Sequence, residues 1–158
     1  MIFVADNSPL NYLVLISAAD VLAPLYTSVL IPQTVAAELT ATRTPATVRA
    51  WMARPPAWLT MLPDPPPDTT LSTLDPGERS AITLVGQIGA NRLLIDDAAG
   101  RAEAERRSLL VTGTVGVLAA AHRAGLLDFE IAIGKLAQTT FYVSPQLLAT
   151  ARRLLSLP

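Results

Sequence analysis

The sequence contains no cysteine and only one histidine, His122. Without cysteine the chain forms neither a disulfide nor a thiolate metal site. Cysteine usage therefore indicates neither an oxidising nor a reducing compartment. His122 falls inside a predicted helix, where we expect a packed or surface position. Histidine-dependent catalytic triads and zinc sites with two histidines are therefore excluded.

Charged residues and long apolar runs are also scarce. Charged side chains make up 16% of the chain, against roughly 25% in an average domain. The net charge of −1, from 12 basic and 13 acidic residues, lacks the basic excess that is usual for proteins attracted to phosphate backbones. Asp20, Pro24 and Pro32 interrupt the most hydrophobic third, so no apolar run of about 18 residues exists. No basic segment precedes the first apolar stretch, and we expect a cytoplasmic protein without a membrane partner.

The chain does contain a regular alternation of short apolar runs and helical patterns. This alternation predicts a three-layer α/β/α sandwich with a mostly parallel central sheet. The length suits a single domain over residues 1–158. The predicted strands cover residues 2–5, 27–31, 59–61, 93–95, 109–111 and 141–143.

Proline and capping residues mark the predicted helix starts. Ser8 before Pro9 predicts an N-cap and a first turn. Asp75 and Glu78 have the spacing of a capping box, with Pro76 at the first helical position. Further helices are predicted over residues 32–39, 44–52, 98–107, 114–124, 128–136 and 144–155.

Two acidic residues stand directly after predicted strands. Asp6 follows the first strand, and Asp96 follows the strand over residues 93–95. Ligands of parallel α/β sheets bind outside the carboxyl ends of the strands. We therefore expect both carboxylates at one edge of the sheet, although a simple turn residue is an alternative for Asp6.

Three further acids are candidates for the same edge. The capping box explains Glu78 without a ligand, and Asp97 has the position of an N-cap for the helix that follows it. Glu38 lies near the end of its helix, where a negative charge meets the unfavourable end of the dipole. Converging carboxylates without cysteine or several histidines favour Mg²⁺ or Mn²⁺ over zinc. Such ions suit phosphodiester hydrolysis.

Five motifs in order resemble the PIN-domain ribonucleases, and more narrowly the VapC-like toxins of prokaryotic type II toxin–antitoxin systems. The resemblance covers residues 1–127, and the helices over residues 128–158 fit less specifically. In chain order the motifs are Asp6-Asn7-Ser8-Pro9-Leu10, Ile31-Pro32 leading to Val35 and Glu38, Asp75-Pro76-Gly77-Glu78 with Ala81, Leu94-Ile95-Asp96-Asp97 with Arg101, and Val111-Thr112-Gly113-Thr114-Val115-Gly116-Val117-Leu118.

The resemblance implies a Mg²⁺- or Mn²⁺-dependent endoribonuclease that forms a homodimer, cleaves RNA and binds an antitoxin protein. Asn7 stands where the family commonly has a small hydroxyl residue. Arginines near these motifs are candidates for RNA binding, namely Arg79, Arg101, Arg106 and Arg107. The catalytic and metal-binding residues that the resemblance implies are Asp6, Glu38, Glu78 and Asp96, with Asp97 as an accessory metal ligand. The polar residues that it places near the substrate are Ser8, Arg101, Thr112 and Thr114.

Two other functions are compatible with parts of the pattern. A catalytically inactive module of the same fold would bind a protein partner or RNA without holding a metal ion. A phosphotransfer domain would use an aspartate pair with Mg²⁺, but it needs a lysine near the phosphate, and Lys135 alone is present, in a late helix. Residues 113–116 lack the ending of a P-loop, and no dinucleotide fingerprint follows the first strand.

Overall fold

The computed structural model describes residues 1–158 and contains a five-stranded parallel sheet. The strand order is β3-β2-β1-β4-β5. The predicted α/β class is confirmed, and five of the six predicted strands are found within about one residue of their predicted bounds. The strands are β1 (Ile2–Ala5), β2 (Ser28–Pro32), β3 (Leu59–Leu62), β4 (Arg92–Leu94) and β5 (Leu110–Thr112).

Nine helices connect and cover the strands. The short second helix was not predicted, whereas the other eight correspond to predicted helices. They are α1 (Asn7–Leu15), α2 (Leu22–Leu25), α3 (Gln33–Thr40), α4 (Ala46–Ala53), α5 (Pro76–Gln87), α6 (Ala98–Arg106), α7 (Thr114–Arg123), α8 (Phe129–Leu136) and α9 (Pro145–Leu154). No single helix has both the length and the apolar character needed to cross a membrane; only the bent pair Asn7–Leu15 and Ala19–Leu25 meets these criteria together.

The central strand β1 is buried on both faces of the sheet. Successive side chains of a strand point to opposite faces, and the core divides accordingly. Phe3 and Ala5 belong to a large apolar cluster that includes residues of α1, α3, α7 and α8. Val4 belongs to a smaller cluster with residues of β4, α5 and α6. This two-sided burial explains why the three residues before Asp6 are all apolar.

The strand order places a topological switch between β1 and β4. The chain moves outward from β1 through β2 to β3, and then returns to the other side of β1. Crevices of open α/β sheets form at such points, beyond the carboxyl ends of the strands. The register pairs Ala5 with Leu94, so Asp6 and Ile95 leave the sheet side by side.

Two local predictions were wrong. Residues 141–143 form no strand, and the edge strands of the sheet are β3 and β5. The Phe141 ring packs edge-on against the Tyr12 ring instead, with the ring centroids 4.9 Å apart. Ser8 is not the N-cap of α1. That position belongs to Asp6, because the helical backbone already begins at Asn7; the Ser8 hydroxyl donates instead to Asp96.

Candidate metal centre

Asp6 occupies the end of the buried strand β1. Its backbone N–H donates to the Leu94 carbonyl at 2.9 Å, and only 3% of the residue is exposed. Although Asp6 is the N-cap of α1, its side chain makes no capping hydrogen bond. The Oδ1 atom is buried without any hydrogen-bond partner. A buried polar atom without a partner costs free energy, so a turn or capping role does not account for this carboxylate.

Two more carboxylates converge on Asp6. One oxygen each from Asp6, Glu38 and Asp75 lies within 4.8 Å of the other two. Glu38 is near the C-terminal end of α3, and Asp75 is the N-cap of α5. The Asn7 side chain donates from Nδ2 to Glu38 Oε2 and so anchors the second carboxylate beside the first. Three elements that are distant in sequence thus build one acidic cluster.

The cluster is electrostatically unfavourable without a cation. Burial, followed by the neighbouring acids Asp75, Glu78 and Glu38, raises the pKa of Asp6 to about 8, against an opposing contribution from the Asn7 backbone N–H. Burial and then Asp75 raise the pKa of Glu38. No salt bridge of the protein involves any of these residues. The unpartnered Asp6 oxygen and an all-carboxylate donor set fit a hard divalent cation.

Glu78 takes part in the capping box that the sequence predicts. Asp75 Oδ1 accepts from the Glu78 backbone N–H at 2.9 Å, and Glu78 Oε2 accepts from the Asp75 backbone N–H at 3.3 Å. Glu78 is nevertheless buried, and burial, followed by Asp75 and Asp97, raises its pKa to about 7. Glu78 therefore has both a structural role and a place beside the three-carboxylate cluster.

Asp96 lies outside the three-carboxylate cluster. Its Oδ1 accepts from the Thr114 backbone N–H at 2.7 Å, and its Oδ2 accepts from the Ser8 and Thr114 hydroxyls at 2.9 and 2.7 Å. These bonds tie the end of β4 to the first turns of α1 and α7. Arg101 lies beside Asp96, since a Cβ added to Gly113 would come within 3 Å of both Asp96 Oδ1 and Arg101 Nη1. Ser8, Thr114 and Arg101 thus surround the Asp96 carboxylate.

The remaining predicted residues have mainly structural contacts. Asp97 is exposed and caps α6, because its Oδ2 accepts from the Ala99 and Gly100 backbone N–H groups. The Thr112 carbonyl accepts from the Ile95 backbone N–H at 3.0 Å. Arg106 pairs with Glu103, and Arg107 pairs with Glu103 and Asp68. Arg79 lines a separate cleft walled by the prolines at 65–67.

Asp75 is the member of the cluster that the sequence did not reveal as a ligand. Its capping-box position explained it completely at the level of local structure. A capping aspartate uses one carboxylate oxygen for the backbone, however, and here the capping bond uses Oδ1 alone. The sequence could have indicated this second role, because a carboxylate has two oxygens and a capping bond leaves one of them for another partner.

Gly77 provides the space that Glu38 occupies. A Cβ at Gly77 would overlap Glu38 Oε2 and lie 2.8 Å from Glu38 Cδ. We expect Gly77→Ala to push the flexible end of Glu38 aside, reducing Mn²⁺ affinity about 10-fold with little change in thermal stability. The control is Gly86→Ala in the same helix, where an added Cβ meets nothing within 4 Å. Calorimetric titration with Mn²⁺ measures both; equal affinities for the two variants would contradict the geometry.

A sequence model described as a PIN domain matches residues 2–156 of the chain. No curated protein and no solved structure matches it. PIN domains are generally nucleases and typically use divalent metal ions, in keeping with the acidic cluster. The match extends through the C-terminal helices and includes nearly every residue of the fold. The predicted resemblance to this family is confirmed: the chain belongs to the PIN-domain family.

Proposed function

We propose that the protein is a metal-dependent endoribonuclease that hydrolyses RNA phosphodiester bonds. The observation that carries the proposal is the buried Asp6 carboxylate in a nuclease-type fold. Its Oδ1 atom has no partner, and one of its oxygens lies within 4.8 Å of oxygens of Glu38 and Asp75. Asp6, Glu38 and Asp75 hold a Mg²⁺ or Mn²⁺ ion. The catalytic set is Asp6, Glu38, Glu78 and Asp96, as the motif order implies, with Asp75 added.

A divalent ion at this position supplies a bound water of lowered pKa and neutralises charge on a phosphate oxygen. The protein's own residues arrange the site around it. Asn7 donates to the Glu38 carboxylate, and Gly77 leaves the space that this carboxylate occupies. Ser8 and Thr114 fix Asp96 on the β4 side. Asp97 caps α6 through Oδ2 and stays an accessory candidate for the ion, as the motif order implies.

The proposal includes a biological role as the toxin of a toxin–antitoxin pair. What supports this role is the order and spacing of the five motifs that the chain shares with VapC-like proteins. A cognate antitoxin that covers the acidic groove and a homodimeric toxin belong to the same proposal. Neither partner is needed for the cleavage chemistry, which rests on residues of one chain.

Asp75→Asn tests the ligand set without removing the helix cap. Asparagine caps helices about as well as aspartate, so the Glu78 backbone N–H keeps its acceptor while the cluster loses one negative charge. We expect Mn²⁺ affinity and Mn²⁺-dependent cleavage of RNA to fall at least 10-fold. Asp128→Asn is the control, because Asp128 caps α8 with the same type of bond to Ile131 and lies outside the cluster.

Two results would contradict the proposal. If the wild-type protein binds no Mn²⁺ in calorimetry and cleaves no RNA, the inactive binding module is the better description. If it cleaves RNA but Asp75→Asn and Asp128→Asn cleave equally well, Asp75 is only a cap. Cleavage in the presence of a chelator would also contradict a metal-dependent reaction.

A further inference from the structure

A polar groove borders the metal centre at Glu38. It lies between the first two turns of α1 and the turn that follows α3, and its cavity volume is about 290 Å³. Glu38 forms part of its wall, so the groove and the three-carboxylate cluster share a side chain. We call it the Arg43 groove; its lining residues are Asn7, Ser8, Asn11, Tyr12, Glu38, Leu39, Arg43, Thr44 and Pro45.

Arg43 is the only cationic side chain of this groove, and it is free. Its side chain is exposed and takes part in no salt bridge. Arg43 and Glu38 line the same groove; burial raises the pKa of Glu38, and the charge of Arg43 opposes that rise. By contrast, Arg101 donates to the Ile95 carbonyl and Arg49 donates to the Thr44 carbonyl.

The backbone that carries Arg43 is held in place. The Thr44 hydroxyl donates to the Glu38 carbonyl at 2.6 Å, and the Thr44 backbone N–H donates to the Ala41 carbonyl at 2.9 Å. Arg49 Nε adds a bond to the Thr44 carbonyl at 3.1 Å. The backbone of the turn is therefore fixed beside the groove, and the Arg43 side chain extends from it without a partner of its own.

The opposite wall carries groups suited to a nucleotide. The Tyr12 ring is fixed edge-on against Phe141, and its hydroxyl is bonded to Thr140. Asn11 adds an amide with donors and an acceptor. Single-stranded RNA is recognised by such aromatic surfaces and by polar groups that bond base edges and 2′-hydroxyls. A volume of about 290 Å³ is at the lower limit of small-ligand pockets, which suits one nucleotide and not a duplex.

We propose that the Arg43 groove binds the nucleotide next to the scissile phosphodiester of a single-stranded RNA, and that Arg43 contacts its phosphate. This inference rests on the proposed ribonuclease function. RNA that approaches the site meets repulsion from the three carboxylates, and a bound divalent ion offsets only part of it. Arg43 supplies the remaining attraction at the point where the strand leaves the metal centre.

Arg43→Ala tests the groove against Arg123→Ala. Both variants lose one exposed, unpaired arginine and therefore change the net charge equally. Arg123 ends α7, about 13 Å along the helix from Thr114 at the site. For a ten-nucleotide oligouridine in Mn²⁺, we expect Arg43→Ala to raise KM about 10-fold with kcat largely kept. The slope of log affinity against log salt should fall by about 0.7.

Calorimetry with Mn²⁺ separates this effect from damage to the metal centre. Unchanged or slightly higher Mn²⁺ affinity in Arg43→Ala supports the proposal, and partial recovery of KM in Arg43→Lys supports it further. Equal KM values and salt slopes for Arg43→Ala and Arg123→Ala would contradict RNA binding in the Arg43 groove. The proposed ribonuclease function would be unaffected by that result. A wild-type protein that binds Mn²⁺ but cleaves no RNA overturns the proposed function itself.

Discussion

Asp6→Asn is expected to weaken metal binding strongly while making the metal-free protein more stable at pH 8. The substitution keeps the shape of the side chain but removes the charge at the centre of the three-carboxylate cluster. Even indirect partners of metal ligands change affinity 10–100-fold when mutated. We therefore expect Mn²⁺ affinity to fall at least about 100-fold. Cleavage of RNA should fall about 10³-fold or more, because a catalytic ion contributes several kcal/mol to the transition state.

The gain in stability follows from the same burial that makes Asp6 a ligand. With a pKa of about 8 in the folded protein, the carboxylate is costly to ionise unless a cation is present. An asparagine side chain is neutral at every pH, so this cost disappears. Thermal unfolding in a chelator at pH 8 should show a higher Tm for Asp6→Asn than for the wild type. The order should reverse in excess Mn²⁺.

The matched control for Asp6→Asn is Asp20→Asn. Asp20 is exposed and lies in the short turn before α2, so its substitution should change neither Mn²⁺ affinity nor the Tm in chelator. Equal Tm values of the Asp6 variant and the wild type in chelator would show that another group of the protein offsets the cost of the buried Asp6 charge. Retained cleavage by Asp6→Asn would remove Asp6 from the catalytic set.

The sequence predicted the elements and the strand-end acids because these depend on local patterns. Phe3, Val4 and Ala5 of β1 are apolar, since both faces of the strand are covered at these positions, and the first polar residue after them lies at the strand end. The distances between the acids depend on α3, α5 and the switch between β1 and β4. Glu38 and Asp75 come from two helices, and their convergence on Asp6 is a property of the packed fold.

Long-range hydrogen bonds account for what the sequence did not predict. The Ser8 hydroxyl had the local position of a cap, but Asp96, 88 residues further along the chain, offers it a half-buried carboxylate. Asp75 had a complete local explanation, and therefore its second role was hidden. In both cases the side chain can make more than one kind of contact. The contact that it makes depends on a partner distant in sequence, which no local pattern identifies.

The metal-free protein is expected to lose stability as the pH rises from about 4 to about 8. The pKa values of Asp6 and Glu78 rise from 3.8 and 4.5 to about 8 and about 7 in the folded chain. A carboxyl with a raised folded pKa binds more protons in the native state than in the unfolded state. Its contribution to the free energy of unfolding is full below the unfolded pKa, and it is lost as the pH passes the folded pKa.

The size of this effect makes it easy to measure. For Asp6 alone, a rise of about four pKa units corresponds to up to about 5 kcal/mol, whereas a domain of this size has a total stability of about 5–15 kcal/mol. Chemical denaturation in a chelator at a series of pH values measures the slope. The double variant Asp6→Asn/Glu78→Gln should flatten the curve between pH 4 and pH 8. A wild-type curve that is already flat would contradict the burial argument.

A divalent ion should invert the pH dependence over the same range. Mn²⁺ binds the ionised carboxylates, so its binding displaces protons and grows tighter as the pH rises. A ligand that binds only the native state stabilises it in proportion to the logarithm of its concentration over its Kd. The stabilisation by Mn²⁺ should therefore be smallest near pH 4 and largest near pH 8, where the metal-free chain is weakest. The Asp6 charge that destabilises the empty fold is the charge that holds the ion.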